Sequence, residues 1–259
     1  MLRDRWFWMG IISLVIIIIG IMSRYYYVIN ETPYKTPEKI YYFDNNSTTL
    51  IYDKDVLQRM NYWISCGNPS NILHDFGRRA REEIETCRHQ IAQLLIVKPA
   101  EIFYTSCATE SNNIVIQGVI SHHLDKNPKK TIRIITTSFE HPSVLKVCEH
   151  YKDNPHVQIT FIKPRGDKSD PYYGCVHPQD VEKAILASDE PVALITIMYG
   201  NNETGAVQDI GEIGRIARKY KIFFHTDATQ TMGKMIMHPE ELGVDSLSFS
   251  GHKFHGPKG

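Results

Sequence analysis

An α/β body built on a mostly parallel sheet flanked by helices, preceded by one N-terminal transmembrane helix, is the architecture the sequence predicts. Three observations carry that expectation. Strand-like and helix-like segments alternate along the chain, strand-like segments end in polar clusters rich in glycine, histidine or hydroxyls, and one uncharged apolar run lies near the start. In chain order, a long amphipathic helix is expected over 76–96, with Ile84, Ile91, Leu94 and Leu95 on one side and the run RRAREEIE near its beginning. Short apolar or β-branched runs at 102–105, 132–137, 157–162, 192–198, 222–226 and 246–250 read as strands, and 109–124, 142–151, 178–187 and 209–220 between them repeat apolar residues at helical spacing. Strand then helix, repeated, gives a parallel sheet covered on both faces. Ligands of such sheets sit outside the carboxyl ends of the strands, beside helix N-termini. The clusters TSCATES, SFEH, YGNNETG, HTDATQ and SGHKFHGPKG are therefore expected to converge on one rim.

The apolar run is WFWMGIISLVIIIIGIM, residues 6–22, with no charge and Ser13 as its one hydrogen-bonding side chain outside the tryptophans. Extended by Ser23 and Tyr25 to Tyr27, it is long enough to span ~30 Å of hydrocarbon at ~1.5 Å per residue. Arg3 and Arg5 flank one end, and Arg24 with the three tyrosines forms a basic and aromatic belt at the other. A cleaved signal peptide is the rival, but the run exceeds the usual ~7–15 residues and no small-x-small site follows Met22. A single-pass membrane location is expected, with orientation open because Lys35 and Lys39 add to the basic residues on the far side. Residues 30–39 (NETPYKTPEK) hold two prolines among polar neighbours and read as a tether. The chain thus divides into an anchor and tether, 1–39, and a body, 40–259, large enough for one domain with its own core.

Composition narrows the function. Lys and Arg number 29 and Asp and Glu 29, so the net charge is zero and a general polyanion binder is disfavoured. The arginines at 78–81 run directly into Glu82, Glu83 and Glu85, a mixed-charge helix face rather than a nucleic-acid patch, so no nucleic acid is expected as partner. Hydrophobic residues make up 42% and charged ones 22%, which is enough apolar material for a packed core. Five cysteines, an odd number with no CxxC pair, fit neither a disulfide framework nor a zinc finger and suit a reducing compartment, which favours a cytoplasmic body.

The rim clusters carry the chemistry. Lys253 follows an apolar strand inside a glycine-rich turn, a poor place for a solvated charge and a good one for an amine that forms a Schiff base with an aldehyde cofactor. His252 and His255 flank it without a clustered carboxylate, so no metal site is expected. Asp227 ends a strand, where it either caps the next helix or keeps a pyridine nitrogen protonated. Ala108 and Thr109 open a helix after a strand, a natural phosphate site, although Thr109 also suits an N-cap. His141 either stacks on an aromatic cofactor ring or is an ordinary surface histidine. Asn202 either offers an amide to a phenolic oxygen or does turn chemistry.

Taken in this order, the stretches FDNNSTT (43–49), GNPSN with HDFGRRARE (67–82), IFYTSCATESNN (102–113), FEHPSVL (139–145), IMYGNNETGAVQDI (197–210), FHTDATQTMGK (224–234) and SFSGHKFHGPKG (248–259) resemble the class V aminotransferases, closest to the cysteine desulfurases. The resemblance implies pyridoxal 5'-phosphate bound as a Schiff base on Lys253, which later moves protons at the substrate α-carbon. His141 would stack on the ring, Asp227 would pair with its nitrogen, Gln230 and Asn202 would serve the phenolic oxygen, and Ala108, Thr109, Ser250 and His252 would hold the phosphate. It further implies the large cofactor domain of the aspartate aminotransferase-like fold with a seven-stranded sheet, a homodimer, L-cysteine as substrate, and a sulfur-acceptor protein.

Departures from the family pattern shape the alternatives. Cys107 stands where the family has glycine in TSGATES, and Ser47 where it often has alanine. In relatives the chain continues past GPKG into an interior strand, a loop with the nucleophilic cysteine, a carboxylate-binding arginine and a small domain. No cysteine here occupies the nucleophile's position, so the chain is expected to be a fragment or truncated form of a longer enzyme, or to be completed by another polypeptide. The reading is a cysteine desulfurase-like enzyme. Its alternatives are a catalytically inactive membrane-tethered scaffold and a selenocysteine lyase or aminotransferase-like relative.

Overall fold

The computed structural model describes residues 41–258. The expected anchor and tether lie outside them, and among the described residues no helix is long and apolar enough to cross a membrane. One compact unit runs Asp44–Gly259. Its elements are α1 (Lys54–Ile64), α2 (Asp75–Leu95), a 3-10 turn (Pro99–Glu101), α3 (Ala108–Lys126), β1 (Ile132–Thr137), α4 (Pro142–His150), β2 (Val157–Ile162), α5 (Pro178–Leu186), β3 (Val192–Thr196), α6 (Ile210–Tyr220), β4 (Phe223–Asp227), α7 (Pro239–Leu242), β5 (Ser246–Ser248) and a 3-10 turn (Gly251–Lys253).

The described residues form a five-stranded sheet in the order β2-β1-β3-β4-β5, and every pair is parallel. Because side chains alternate along a strand, β1 serves both faces. Ile132 and Ile134 join Ile116 and Ile120 of α3 and Val144 and Val147 of α4 in one core cluster. Ile135 faces the other way, into the cluster built with Val181 and Ile185 of α5 and Ile213 and Ala217 of α6. Arg133, 3% exposed, is tolerated in β1 because its guanidinium donates to the carbonyls of Ala184, Ile185 and Glu190 at the end of α5. A cation there also meets the negative end of that helix.

Local chemistry fixes the helix ends. Asp53 caps α1 and Asp209 caps α6 through side-chain carboxylates, while His74, His141 and His177 cap α2, α4 and α5 through ring nitrogens. Proline at the first turn of α4 and α5 gives up an amide that had no helical partner. Where α6 crosses α7, Gly214 lets the backbones meet, since a Cβ there would overlap the carbonyl of Leu242. Alanine is favoured over glycine within a helix by about 1 kcal/mol, yet overlap with backbone outweighs it. We expect Gly214→Ala to lose about 2 kcal/mol in denaturant unfolding.

Two expectations are corrected. Residues 102–105 form no strand: among the described residues nothing pairs with them, and an extended segment without a partner is not a strand. They flank a groove of about 770 Å³ whose opposite wall includes Leu247, Ser248 and Phe249 beside the open edge of β5. Five described strands therefore stand where seven were implied. On α2, Leu94 and Ile84 are exposed, and the buried residues are Gly77, Ala80 and Ala92, small enough to let the helix lie close, together with Leu95, which joins the core.

Candidate active site

All five polar clusters contribute to one cavity of about 260 Å³ at the carboxyl ends of β1, β3, β4 and β5 and the N-terminus of α3. Of the nine residues expected to form a site, Ala108, Thr109, His141, Asn202, Asp227, Gln230, His252 and Lys253 line it. Ser250 does not. It is 8% exposed and begins the turn that carries His252 and Lys253.

Asp227 closes β4 with one oxygen accepting from the Thr229 amide at 3.0 Å and the other from Asn112 Nδ2 at 2.7 Å. The turn amide satisfies the capping role; the second bond does not belong to it. Asn112 also donates to Ser143 Oγ at 2.9 Å, and that hydroxyl lies 2.8 Å from His141 Nδ1. A continuous path therefore links the strand-end carboxylate to the histidine ring. His141 Nδ1 accepts from the Ser143 amide at 3.1 Å, which leaves the ring proton on Nε2.

A segment from 44 to 50 straps the lysine turn. Thr49 donates its amide to the His252 carbonyl at 2.8 Å and its hydroxyl to the same oxygen at 2.9 Å, and Thr48 Oγ1 lies 3.0 Å from His252 Nδ1. The Asn46 carbonyl accepts from Lys253 Nζ at 2.6 Å and from Gln230 Nε2 at 2.8 Å. Burial depresses the proton affinity of Lys253, the charge of Lys234 adds to that, and Asp227 and Asp44 oppose it. His252 is lowered by burial and by Lys253. His255 Nδ1 lies 2.9 Å from the Leu50 carbonyl, so both flanking imidazoles make local bonds, and the described residues hold no cluster that suits a metal.

In the pair Asn201 and Asn202 the two readings separate. Asn201 is buried, accepts from the amides of Glu203 and Thr204, and donates to the Phe139 carbonyl at 3.0 Å, so it builds the turn. Asn202 is the one that faces the cavity.

At the N-terminus of α3 the cap position belongs to Cys107 rather than Thr109. Its backbone is extended, a conformation any residue adopts, so no glycine is needed there. The Glu110 amide, the Ser106 hydroxyl and the Thr109 amide act on its sulfur and hold the thiol below its ordinary proton affinity. Those are the donors a phosphate would use. We expect Cys107→Gly to tighten pyridoxal phosphate binding about threefold in a fluorescence titration, since a freed donor is worth several tenths of a kcal/mol or more.

Two buried groups stand behind the rim. Glu140, 4% exposed, accepts from Thr137 Oγ1 at 2.5 Å and from the Met198 amide at 3.0 Å, and so ties the end of β1 to the end of β3. Burial pushes its carboxyl up to about 8, against the hydrogen bonds from Thr137 and Met198, while the charge of Asp227 adds to the rise. His225, fully buried between Thr196 Oγ1 at 2.8 Å and Ser248 Oγ at 3.0 Å, is lowered to about 4 by burial, opposed by Asp227.

Asn46, Asn112, Ser143, Glu140 and Lys234 were not anticipated. Each lies inside a stretch that carries the resemblance, but for Asn46, Asn112, Ser143 and Glu140 the partner that defines the role is between 31 and 207 positions away, while Lys234 meets Gln230 four positions before it.

The donor set fits pyridoxal phosphate. An amine, a strand-end carboxylate, an imidazole with a free Nε2 proton and helix-end amides share one cavity, and the Thr229 hydroxyl on its wall is buried without a partner. The comparisons with known proteins agree with that donor set. The Aminotransferase class-V family model matches residues 41–259. A cysteine desulfurase IscS from Dictyoglomus turgidum is 41% identical over 84% of this chain and 52% of its own length. The cysteine desulfurase IscS from Buchnera aphidicola subsp. Schizaphis graminum is 39% identical over 84% and 51%. A solved structure described as SspA in complex with cysteine superposes with a TM-score of 0.76 at 37% identity, covering 85% of this chain and 59% of that one. The chain spans about half the length of the curated relatives it matches.

Proposed function

The chain belongs to the class-V aminotransferase family, and we propose that the protein is a pyridoxal phosphate-dependent, cysteine desulfurase-like enzyme that releases sulfur from L-cysteine as a protein-bound persulfide and leaves alanine. The observation that carries this is the convergence of Lys253, Asp227 and His141 on one cavity with the amides at the start of α3. When bound, the cofactor supplies an electron sink for the substrate α-carbon. Lys253 holds the cofactor and then moves a proton at that carbon. Asp227, kept in place by Asn112, holds a proton on the ring nitrogen. His141 covers one ring face, Gln230 and Asn202 serve the phenolic oxygen, and the amides of Ala108 and Thr109, with His252, take the phosphate. Cleavage of the substrate carbon–sulfur bond passes the sulfur to an acceptor thiol. Of the five cysteines Cys107 alone lines the cavity, at the phosphate end, so the reading assigns the acceptor thiol to none of residues 1–259.

The same reading includes a homodimer and membrane tethering. Helix α1 has no buried residue and exposes Leu57 and Ile64 seven residues apart, a small apolar side suited to a second copy. The uncharged run 6–22 supports a single-pass anchor, and five free thiols suit a cytoplasmic body. The test is the absorbance of the purified chain after incubation with pyridoxal phosphate and dialysis. A retained visible band supports the enzyme reading. A folded chain with no band favours the inactive scaffold.

A further inference from the structure

The Asn46 carbonyl is shared by two donors, Lys253 Nζ at 2.6 Å and Gln230 Nε2 at 2.8 Å, and Gln230 Oε1 in turn accepts from Lys234 Nζ at 3.1 Å. A second lysine is therefore joined to the first by one side-chain amide and one backbone carbonyl. We propose that Lys234 is a positioning residue that acts on Lys253 through Gln230 and Asn46, fixing the amide's orientation and setting the charge against which the Lys253 amine works.

The amide orientation follows from donor chemistry. An ammonium has three donors and no acceptor, so Gln230 must turn Oε1 toward Lys234. Its Nε2 then faces the strap and the cavity, where it donates to Asn46 and is available to an anionic oxygen. The Asn46 carbonyl, an acceptor alone, asks for the same orientation from the other side, so Lys234 holds Oε1 in the position that the strap bond leaves for it. The charge effect follows from proximity. A positive charge beside an amine disfavours protonation of the amine, and a neutral amine is the form that attacks an aldehyde. The charged and titratable groups that face Lys253 are Asp44 on the strap, Asp227 at the end of β4, Lys234 after the Gln230 turn and His252 beside it, with Lys258 acting on His252. Asp44 and Asp227 favour the charged amine, and Lys234 opposes them. Lys234 is exposed and packs no core, so its substitution leaves the fold intact.

This role for Lys234 rests on Lys253 being the cofactor amine, but its test does not need the cofactor. Trace acetylation with acetic anhydride between pH 7 and 10, read as modification of the Lys253 peptide by mass spectrometry, follows the neutral fraction of that amine. In Lys234→Met the Lys253 midpoint should move up by about half a pH unit, about a threefold lower neutral fraction at a fixed pH below it. Lys234→Arg, which keeps the charge and the donors, should hold the wild-type midpoint. An unchanged midpoint in Lys234→Met overturns the proposal, and so does the same upward shift in Lys234→Arg. Failure of the wild-type chain to retain pyridoxal phosphate would instead overturn the enzyme reading, whatever the acetylation midpoints show.

Discussion

Lys253→Ala should abolish dialysis-stable retention of pyridoxal phosphate while leaving the fold in place. Among the residues that line the cavity, Lys253 is the one with an amine, and it is presented on a turn whose backbone makes its own bonds. Its amide donates to Ser250 at 3.2 Å, and the neighbouring Phe254 amide donates to Gly251 at 3.1 Å. Neither bond involves the side chain. The strap bonds from Thr48 and Thr49 go to His252 and also survive the substitution. What is lost is the one group able to bond covalently to an aldehyde. The remaining contacts, from helix amides, Asp227 and the ring of His141, hold a ligand only by noncovalent forces. Retention should fall on the order of 100-fold or more, equivalent to about 2.7 kcal/mol. Unfolding by denaturant should stay within about 0.5 kcal/mol of wild type, as for a partly exposed side chain that packs no core. A visible band of wild-type intensity in the dialysed variant would remove Lys253 from the mechanism.

The parts of this molecule that sequence made legible share a physical property, and so do the parts it did not. Strands β1 and β2 match their expected bounds because their apolar runs are bracketed by turn residues and buried on both faces in β1 and at both ends in β2. Helices α4 to α6 fall within one residue of expectation because their caps are local: a histidine followed by proline, or an aspartate, and then a buried apolar residue. The run at 102–105 has the same β-branched and aromatic character, but a strand also needs a neighbour, and composition carries no record of one. Helix α1 was not anticipated: Val56, Met60 and Trp63 recur at helical spacing and are half-buried, but no residue of the helix is fully buried, so its stripe is a weak one. The site shows the same division. Lys253, Asp227 and His141 stand beside glycine turns and strand ends, where local signals point at them. Asn112 was passed over because the interior of a helix is an uninformative place for an asparagine until Asp227 is found 2.7 Å away.

A pH titration of stability should show the buried carboxyl behind the site. Burial raises Glu140 in the folded state from 4.5 to about 8, so between those values the folded protein holds a proton that the unfolded chain has released. The stability this contributes is fully present below the unfolded value and is lost as pH rises through about 8, with a slope of about 1.4 kcal/mol per pH unit. His225 works in the other direction. Its folded value is depressed from 6.5 to about 4, so it lends stability above 6.5 that is lost as pH falls through about 4. Between about 4.5 and 6.5 the two slopes oppose each other, and above 6.5 that of Glu140 stands alone. Stability should therefore fall by about 2 kcal/mol between pH 6.5 and 8 in the wild type. It should be nearly flat over that interval in Glu140→Gln, whose amide still accepts from Met198 and pairs with Thr137. Glu140→Ala should be less stable at every pH, since it leaves the Met198 amide buried without a partner at a cost of about 1–3 kcal/mol. Urea midpoints at pH 6.5, 7.2 and 8.0 for the three proteins would check this, and a wild-type midpoint that rises across the interval would show that Glu140 is ionised in the folded state. The consequence reaches the site itself: ionising Glu140 adds a negative charge behind the strand end that is proposed to hold the ring nitrogen.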